Sequence, residues 1–130
     1  MTDFNSAFSI AASGMKAQAA RLRYVSENIA NADTPGFHRK TTQFEEVMTG
    51  QGAQGAVRLG RVDLDRSALD RVYDPGSPMA DESGYVDGSN VDLVMEIADA
   101  REAQRSYEAN LKMFEQTRQM SSALLELLRR

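Results

Sequence analysis

Apolar residues recur at alternating steps of four and three along both ends of this chain. One line runs through Phe4, Phe8, Ala11, Met15, Gln18, Leu22, Val25 and Ile29. The other runs through Leu93, Ile97, Ala100, Gln104, Tyr107, Leu111, Phe114, Arg118, Ser121, Leu125 and Leu128, which is five heptads. A spacing that averages 3.5 residues keeps one stripe of a helix turned toward one neighbour. The chain is therefore organised around two long helices that offer apolar seams to other helices. Gln18, Gln104 and Arg118 interrupt the seams, where a polar side chain costs stability but fixes register or partner choice.

The 130 residues suit one domain and hold only 26 Leu, Ile, Val and Phe side chains, near the lower edge of what offsets chain entropy. Those side chains concentrate at the two ends, while 50–90 is rich in Gly, Asp, Ser and Arg. The expected fold is mainly α, with long N- and C-terminal helices packing as a coiled coil around a small β or irregular middle segment. Residues 1–36, 37–90 and 91–130 are read as three parts of one discontinuous unit. Pairing of the two helices within one molecule would suffice to make a core. Internal pairing combined with further packing between molecules is the preferred reading, because a second stripe (Met113, Thr117, Met120, Leu124, Leu127) runs beside the first.

The first helix is expected from about Ser6 to Ala30, roughly 37 Å at ~1.5 Å per residue. Asn31 should end it in the left-handed conformation, and Thr34-Pro35-Gly36-Phe37 places Pro and Gly where a type II turn requires them. Residues 39–47 are too short a pattern to divide strand from helix. Gly50 to Gly55 reads as a flexible link, and Ala56 to Tyr73 as a small β hairpin. Asp74-Pro75-Gly76-Ser77-Pro78 marks a turn, Asp81 to Asn90 a polar loop, and Ser89 or Asn90 the cap of a last helix running from Val91 to about Leu128, ~57 Å. Glu108 before Lys112 and Glu126 before Arg130 have the favourable i,i+4 order.

Little in the chain supports catalysis or ligand binding. There is no cysteine, which removes disulfides, thiolate metal sites and cysteine nucleophiles. His38, the single histidine, has no oriented partner. Gly50-Gln-Gly-Ala-Gln-Gly55 matches G-x-G-x-x-G but lacks the strand and helix on which the dinucleotide fingerprint depends. An EF-hand register fails on the acidic loop, since Gly84 at position six puts Met79 first and Asn90 last, and Gly88 there puts Val94 last. The formal charge of −4 sits in the middle, where residues 45–90 hold nine acidic and four basic side chains. No basic stripe with aromatics is present, so nucleic acid is not an expected partner. Neither a cofactor nor a small-molecule substrate is called for. The start Met1-Thr2-Asp3 does not read as a cleavable signal, and no stretch approaches the ~20 apolar residues of a membrane span.

Several motifs together resemble the rod and hook proteins of the bacterial flagellar axial structure. They are Ala12-Ser13-Gly14-Met15, the run Ser26-Glu27-Asn28-Ile29-Ala30-Asn31-Ala32-Asp33-Thr34-Pro35-Gly36-Phe37 with its A-N-x-x-T-P-G-[YF] signature, and Ser106-Tyr107-Glu108-Ala109-Asn110. Val72 to Pro78 and Gly84-Tyr85-Val86 are similar to one proximal-rod type, and Asp87 to Leu93 is closer to its sister. The short chain argues against hook and distal-rod members, which insert further domains between the terminal helices.

The resemblance implies a non-enzymatic structural subunit of the periplasmic rod, exported through the flagellar type III apparatus without a cleaved signal. It would assemble with copies of itself, with other rod proteins, and with basal-body ring and rod-adaptor components, and would carry torque from motor ring to hook. The expected assembly interface is Phe8, Ala11, Met15, Leu22, Val25 and Ile29, the turn Asn31, Thr34, Pro35, Gly36 and Phe37, and Leu93, Ile97, Tyr107, Asn110, Leu111, Phe114, Leu125 and Leu128. A cytoplasmic coiled-coil adaptor or chaperone of fixed oligomeric size is the competing reading.

Overall fold

The computed structural model describes residues 2–47 and 55–130. Two helices frame it, α1 (Thr2–Ala30) and α2 (Leu93–Arg129), with six short strands between them: β1 (Lys40–Thr41), β2 (Phe44–Glu46), β3 (Val57–Leu59), β4 (Asp63–Leu64), β5 (Arg71–Tyr73) and β6 (Tyr85–Asp87). The Gly50 to Gly55 link, including its G-x-G-x-x-G match, lies outside the described residues except for Gly55. No helix among the described residues is long and apolar enough to cross a membrane.

The helices lie antiparallel. Phe8 meets Phe114 edge to face with ring centroids 4.9 Å apart, Arg21 pairs with Asp99 at 2.7 Å, and Asn28 donates to Glu96 at 3.3 Å. The expected seams are rotated in this contact. The residues of α2 that are not exposed are Glu96, Asp99, Ala100, Ala103, Ser106, Tyr107, Asn110, Phe114, Thr117 and Ser121. Ala100, Tyr107, Phe114 and Ser121 belong to the expected line, but the other half of the heptad is filled by Glu96, Ala103, Asn110 and Thr117. On α1 the fully buried positions are Ala11, Gly14, Ala17, Val25 and Asn28. The physical reason is size: helices that meet through Ala and Gly approach closely, whereas large side chains hold them apart.

Gly14 shows how close that approach is. A Cβ at Gly14 would fall 2.6 Å from Asn110 Oδ1, and Asn110 is held in place by its Nδ2 donating to Ser106 O at 2.9 Å. A second face of α1 meets the middle segment, where Ser13 Oγ accepts the Val57 amide at 3.1 Å. Gln18 Oε1 is buried with no hydrogen-bond partner among the described residues.

The strands differ from the expected hairpin. Those within Ala56 to Tyr73 do not pair with one another: β4 pairs antiparallel with β1, β3 with β2, and β5 with β6. Residues 39–47, undecided from sequence, are strand because they supply the opposite side of this arm. Thr41 opposes Asp63 and Phe44 opposes Leu59, so two residues face three between the pairs and the arm is kinked as at a β-bulge. The polar loop expected from Asp81 to Asn90 contains β6, whose Val86 is buried opposite Val72. The Asp74 to Ser77 turn forms as expected, closed by Ser77 N donating to Asp74 O at 3.1 Å.

Two helix ends also differ. Among the described residues no side-chain-bearing residue has positive φ, so Asn31 does not adopt the left-handed conformation. It closes α1 through its side chain, Nδ2 donating to Glu27 O at 2.8 Å and Oδ1 accepting from Thr34 Oγ1 at 3.1 Å. The cap of α2 is Asp92 rather than Ser89 or Asn90. Its carboxylate accepts from Val94 N at 3.1 Å and Met95 N at 3.4 Å, while Ser89 and Asn90 are engaged elsewhere.

Candidate functional site

The signature turn stands at the junction where α1 ends and α2 begins. Phe37 N donates to Thr34 O at 3.2 Å and Gly36 has φ +74°, which makes Thr34 to Phe37 the type II turn that its Pro and Gly predict. Gly36 N then donates to Asp87 O and Gly88 O at 3.1 and 3.0 Å, tying the turn to the end of β6. Ser89 Oγ donates to Ala32 O, and Asn90 N to Phe37 O at 3.3 Å. The turn is thus stitched to the segment that enters α2.

Behind it lies a polar hub that no single sequence motif joins. Glu96 and Asn28 are 1% and 0% exposed, the two largest fully buried side chains. Arg39 Nε donates to Glu96 Oε1 at 2.6 Å and its Nη1 donates to Asp65 Oδ2 at 3.3 Å. Asn28 is fully satisfied: its Nδ2 donates to Lys40 O at 2.9 Å and to Glu96, and its Oδ1 accepts Lys40 N at 2.8 Å. Asn90 completes the brace, accepting Arg39 N at 2.7 Å and donating to Asp65 O at 2.8 Å. A buried carboxylate is tolerable only when its charge and lone pairs are met, and here Arg39 meets one oxygen and Asn28 the other.

The electrostatics follow that geometry. Burial works against the charge on Arg39, but the hydrogen bonds and charges of Glu96 and Asp65 outweigh it and raise its pKa. The Ser67 backbone amide, then its hydroxyl, and beyond these Arg39 hold Asp65 below the usual carboxylate range. Asp81, capping the loop before β6, is lowered chiefly by the Tyr85 amide and also by Arg71.

The expected interface residues divide into two sets. Ala11 and Val25 are buried, and Phe8, Met15, Leu22, Ile29, Tyr107, Asn110 and Phe114 are half-buried along or beside the α1–α2 contact. Asn31 and Phe37 are half-buried at the junction, with Thr34, Pro35 and Gly36 exposed on its outer side. Leu93, Ile97, Leu111, Leu125 and Leu128 face solvent on the flank of α2, Leu128 at 76% exposure. Met113, Met120, Leu124 and Leu127 are exposed with them. Sequence periodicity missed Asn28, Arg39, Asp65, Asn90 and Glu96. The available signals were Asn28 and Glu96 flanking an apolar stripe by a single position, and Asn28 and Asn90 lying within the stretches that carry the family resemblance.

Comparison with known proteins bears on this arrangement. Residues 8–38 match the family model described as "Flagella basal body rod protein", and residues 82–127 match "Flagellar basal body rod FlgEFG protein C-terminal". These spans contain the helix junction and most of both helices. The flagellar basal-body rod protein FlgC of Agrobacterium fabrum is 42% identical, over 99% of this chain and 98% of its own length. The chain belongs to the FlgC family of flagellar basal-body rod proteins. FlgC of Aquifex aeolicus is 37% identical across 97% of this chain and 98% of its own, and FlgC of Salmonella typhimurium 34% across 92% and 94%. Membership of the FlgC family makes the chain a structural subunit of the flagellar basal-body rod, and the adaptor or chaperone reading is not favoured.

Proposed function

We propose that the chain is a building block of the proximal rod, assembling through its terminal helices with copies of itself and with other rod proteins to carry torque from motor ring to hook. The observation that carries this reading is the uncovered flank of α2. Leu93, Ile97, Leu111, Leu125 and Leu128, the apolar members of the expected line that the α1–α2 contact leaves uncovered, face solvent in the single chain with Gln104 and Arg118 among them. An apolar line of this length on a monomer marks an interaction surface. The alternating steps of four and three on the inner line support coiled-coil packing of α1 with α2, leaving the outer residues for helices of neighbours.

Subunits whose seams are filled by unlike faces of the next copy build open helical assemblies wherever the rotation between copies does not close a ring. Residues 1–36, 37–90 and 91–130 act in this as one discontinuous unit, with the helices toward the core of a tube and the middle segment outside. The unit works in the periplasm after export through the flagellar type III apparatus without a cleaved signal, touches ring and rod-adaptor components, and performs no catalysis.

Deleting the gene, complementing it with the intact chain, and imaging basal bodies alongside a swimming assay tests the proposal. Loss of rod and hook above an intact membrane ring, restored by complementation, is the expected result. Normal flagella in the deletion strain overturn it.

A further inference from the structure

A groove of about 650 Å³ opens beside the signature turn, between β5, β6 and the entry to α2. Pro35, Val72, Val86, Val91 and Leu93 give it an apolar lining. Its charged lining is of one sign: Asp33, Asp70, Asp74 and Asp92, with no lysine or arginine among the described residues. An apolar trough with a purely acidic rim fits a segment that is apolar along its body and basic at its end.

The chain itself contains such a segment at the far end of α2. Leu124, Leu125, Leu127 and Leu128 are exposed there on one face, followed by Arg129 and Arg130, which with the single Glu126 on the opposite face leave the segment one positive side-chain charge in excess. No acidic side chain is within 4.0 Å of either arginine among the described residues, and α1 does not cover these turns, since every residue from Ser122 on is exposed. We propose that the groove receives residues 124–130 of a second copy, with leucines on the apolar lining and Arg129 and Arg130 on the aspartate rim. This rests on the reading that the chain assembles with itself.

The occupant must come from another molecule. The groove lies at the first residues of α2 and the leucines at its last turns, and a single 37-residue helix holds them roughly 50 Å apart. The contact is therefore heterologous: each copy offers a groove at one end and a basic apolar tip at the other. Repetition of such a contact closes a ring or extends a filament according to the rotation between successive copies. Charge on the rim selects the orientation of the incoming tip, and the leucines supply the burial.

The absence of native cysteine makes disulfide trapping specific. Purified full-length Ala68→Cys chain mixed with Leu128→Cys chain under mild oxidation should give about tenfold more mixed disulfide than Ala68→Cys with Lys112→Cys, the ratio expected of a preferred seat. Adding Arg129→Glu and Arg130→Glu to the Leu128→Cys chain should lower that yield about tenfold, and Asp70→Arg with Asp74→Arg on the other chain should restore it. Equal yields from the two mixtures, or a yield indifferent to charge reversal, overturn the proposal. Circular dichroism of each variant establishes that it is folded before mixing. A photo-cross-linker at Ala68 in isolated basal bodies should give an adduct of this chain with itself; an adduct with a different rod component in its place also overturns the proposal. Trapping is read in solution and rod formation in the complementation assay, so failure of the groove contact and failure of the proximal-rod reading are separable.

Discussion

Arg39 and Glu96 are joined at 2.6 Å across 57 residues of chain, which locks the strand leaving the signature turn to the first turn of α2. Through Asn28 the same carboxylate is tied to the end of α1. The junction angle between the two long helices and the strand arm therefore depends on one buried polar hub. Removing either partner alone leaves a charge without its counterpart. Arg39→Met and Glu96→Leu should each destabilise the chain by about 3 kcal/mol, and the double substitution should recover much of that loss. Denaturant titration of the four proteins measures the coupling; additive losses would refute the hub.

Close approach of the helices makes a second prediction. Gly14→Val should lower stability by about 1–3 kcal/mol because the new Cβ meets the hydrogen-bonded amide of Asn110 at 2.6 Å. Asn110→Ala in the same chain should relieve most of it. Thermal unfolding of the single and double variants gives the answer, and no rescue by Asn110→Ala would place the strain elsewhere.

The exposed flank should matter to assembly and not to the fold. Leu111 and Leu125 are 38% and 44% exposed, so Leu111→Asp and Leu125→Asp should change monomer stability by no more than about 0.5–1 kcal/mol. Both should abolish incorporation into the rod. Swimming in soft agar is the readout, and wild-type motility of these variants would sink the seam hypothesis.

Gly36 has φ +74° and open space where a Cβ would stand, so a substitution there costs backbone strain rather than a clash. Gly36→Val should weaken the turn by about 1–2 kcal/mol, impair rod assembly and leave export intact. Comparing exported protein with rod content separates the two effects; normal rods in this variant would remove the turn from the interface.

Acid sensitivity follows from Asp65 and Asp81, both lowered from 3.8 in the folded chain. A carboxyl more acidic folded than unfolded contributes stability fully above the unfolded value and loses it as pH falls from there toward the folded value. Unfolding free energy should therefore drop below about pH 4. Asp65→Asn should reduce stability at neutral pH and flatten that acid limb. A limb of unchanged slope would assign the acid loss to other carboxylates.

Both long helices, the type II turn at Thr34 to Phe37 and the family were legible in the sequence, because local spacing and turn chemistry carry them. Heptad steps specify that a stripe faces something, and Pro followed by Gly specifies a turn whatever surrounds it. Which side of the stripe faces inward was decided by tertiary structure alone. Ala11, Gly14 and Ala103 let the backbones approach, so the inner contact settled one position away from the larger leucines and left those outside. Strand pairing was likewise beyond local reading, since β1 and β4 meet across more than twenty residues. Of the hub residues, Asn28 and Asn90 lie within stretches of family resemblance, but nothing local joins them to Arg39, Asp65 and Glu96: each is an ordinary polar residue until the fold removes water from around all of them together, and burial then makes their mutual satisfaction obligatory.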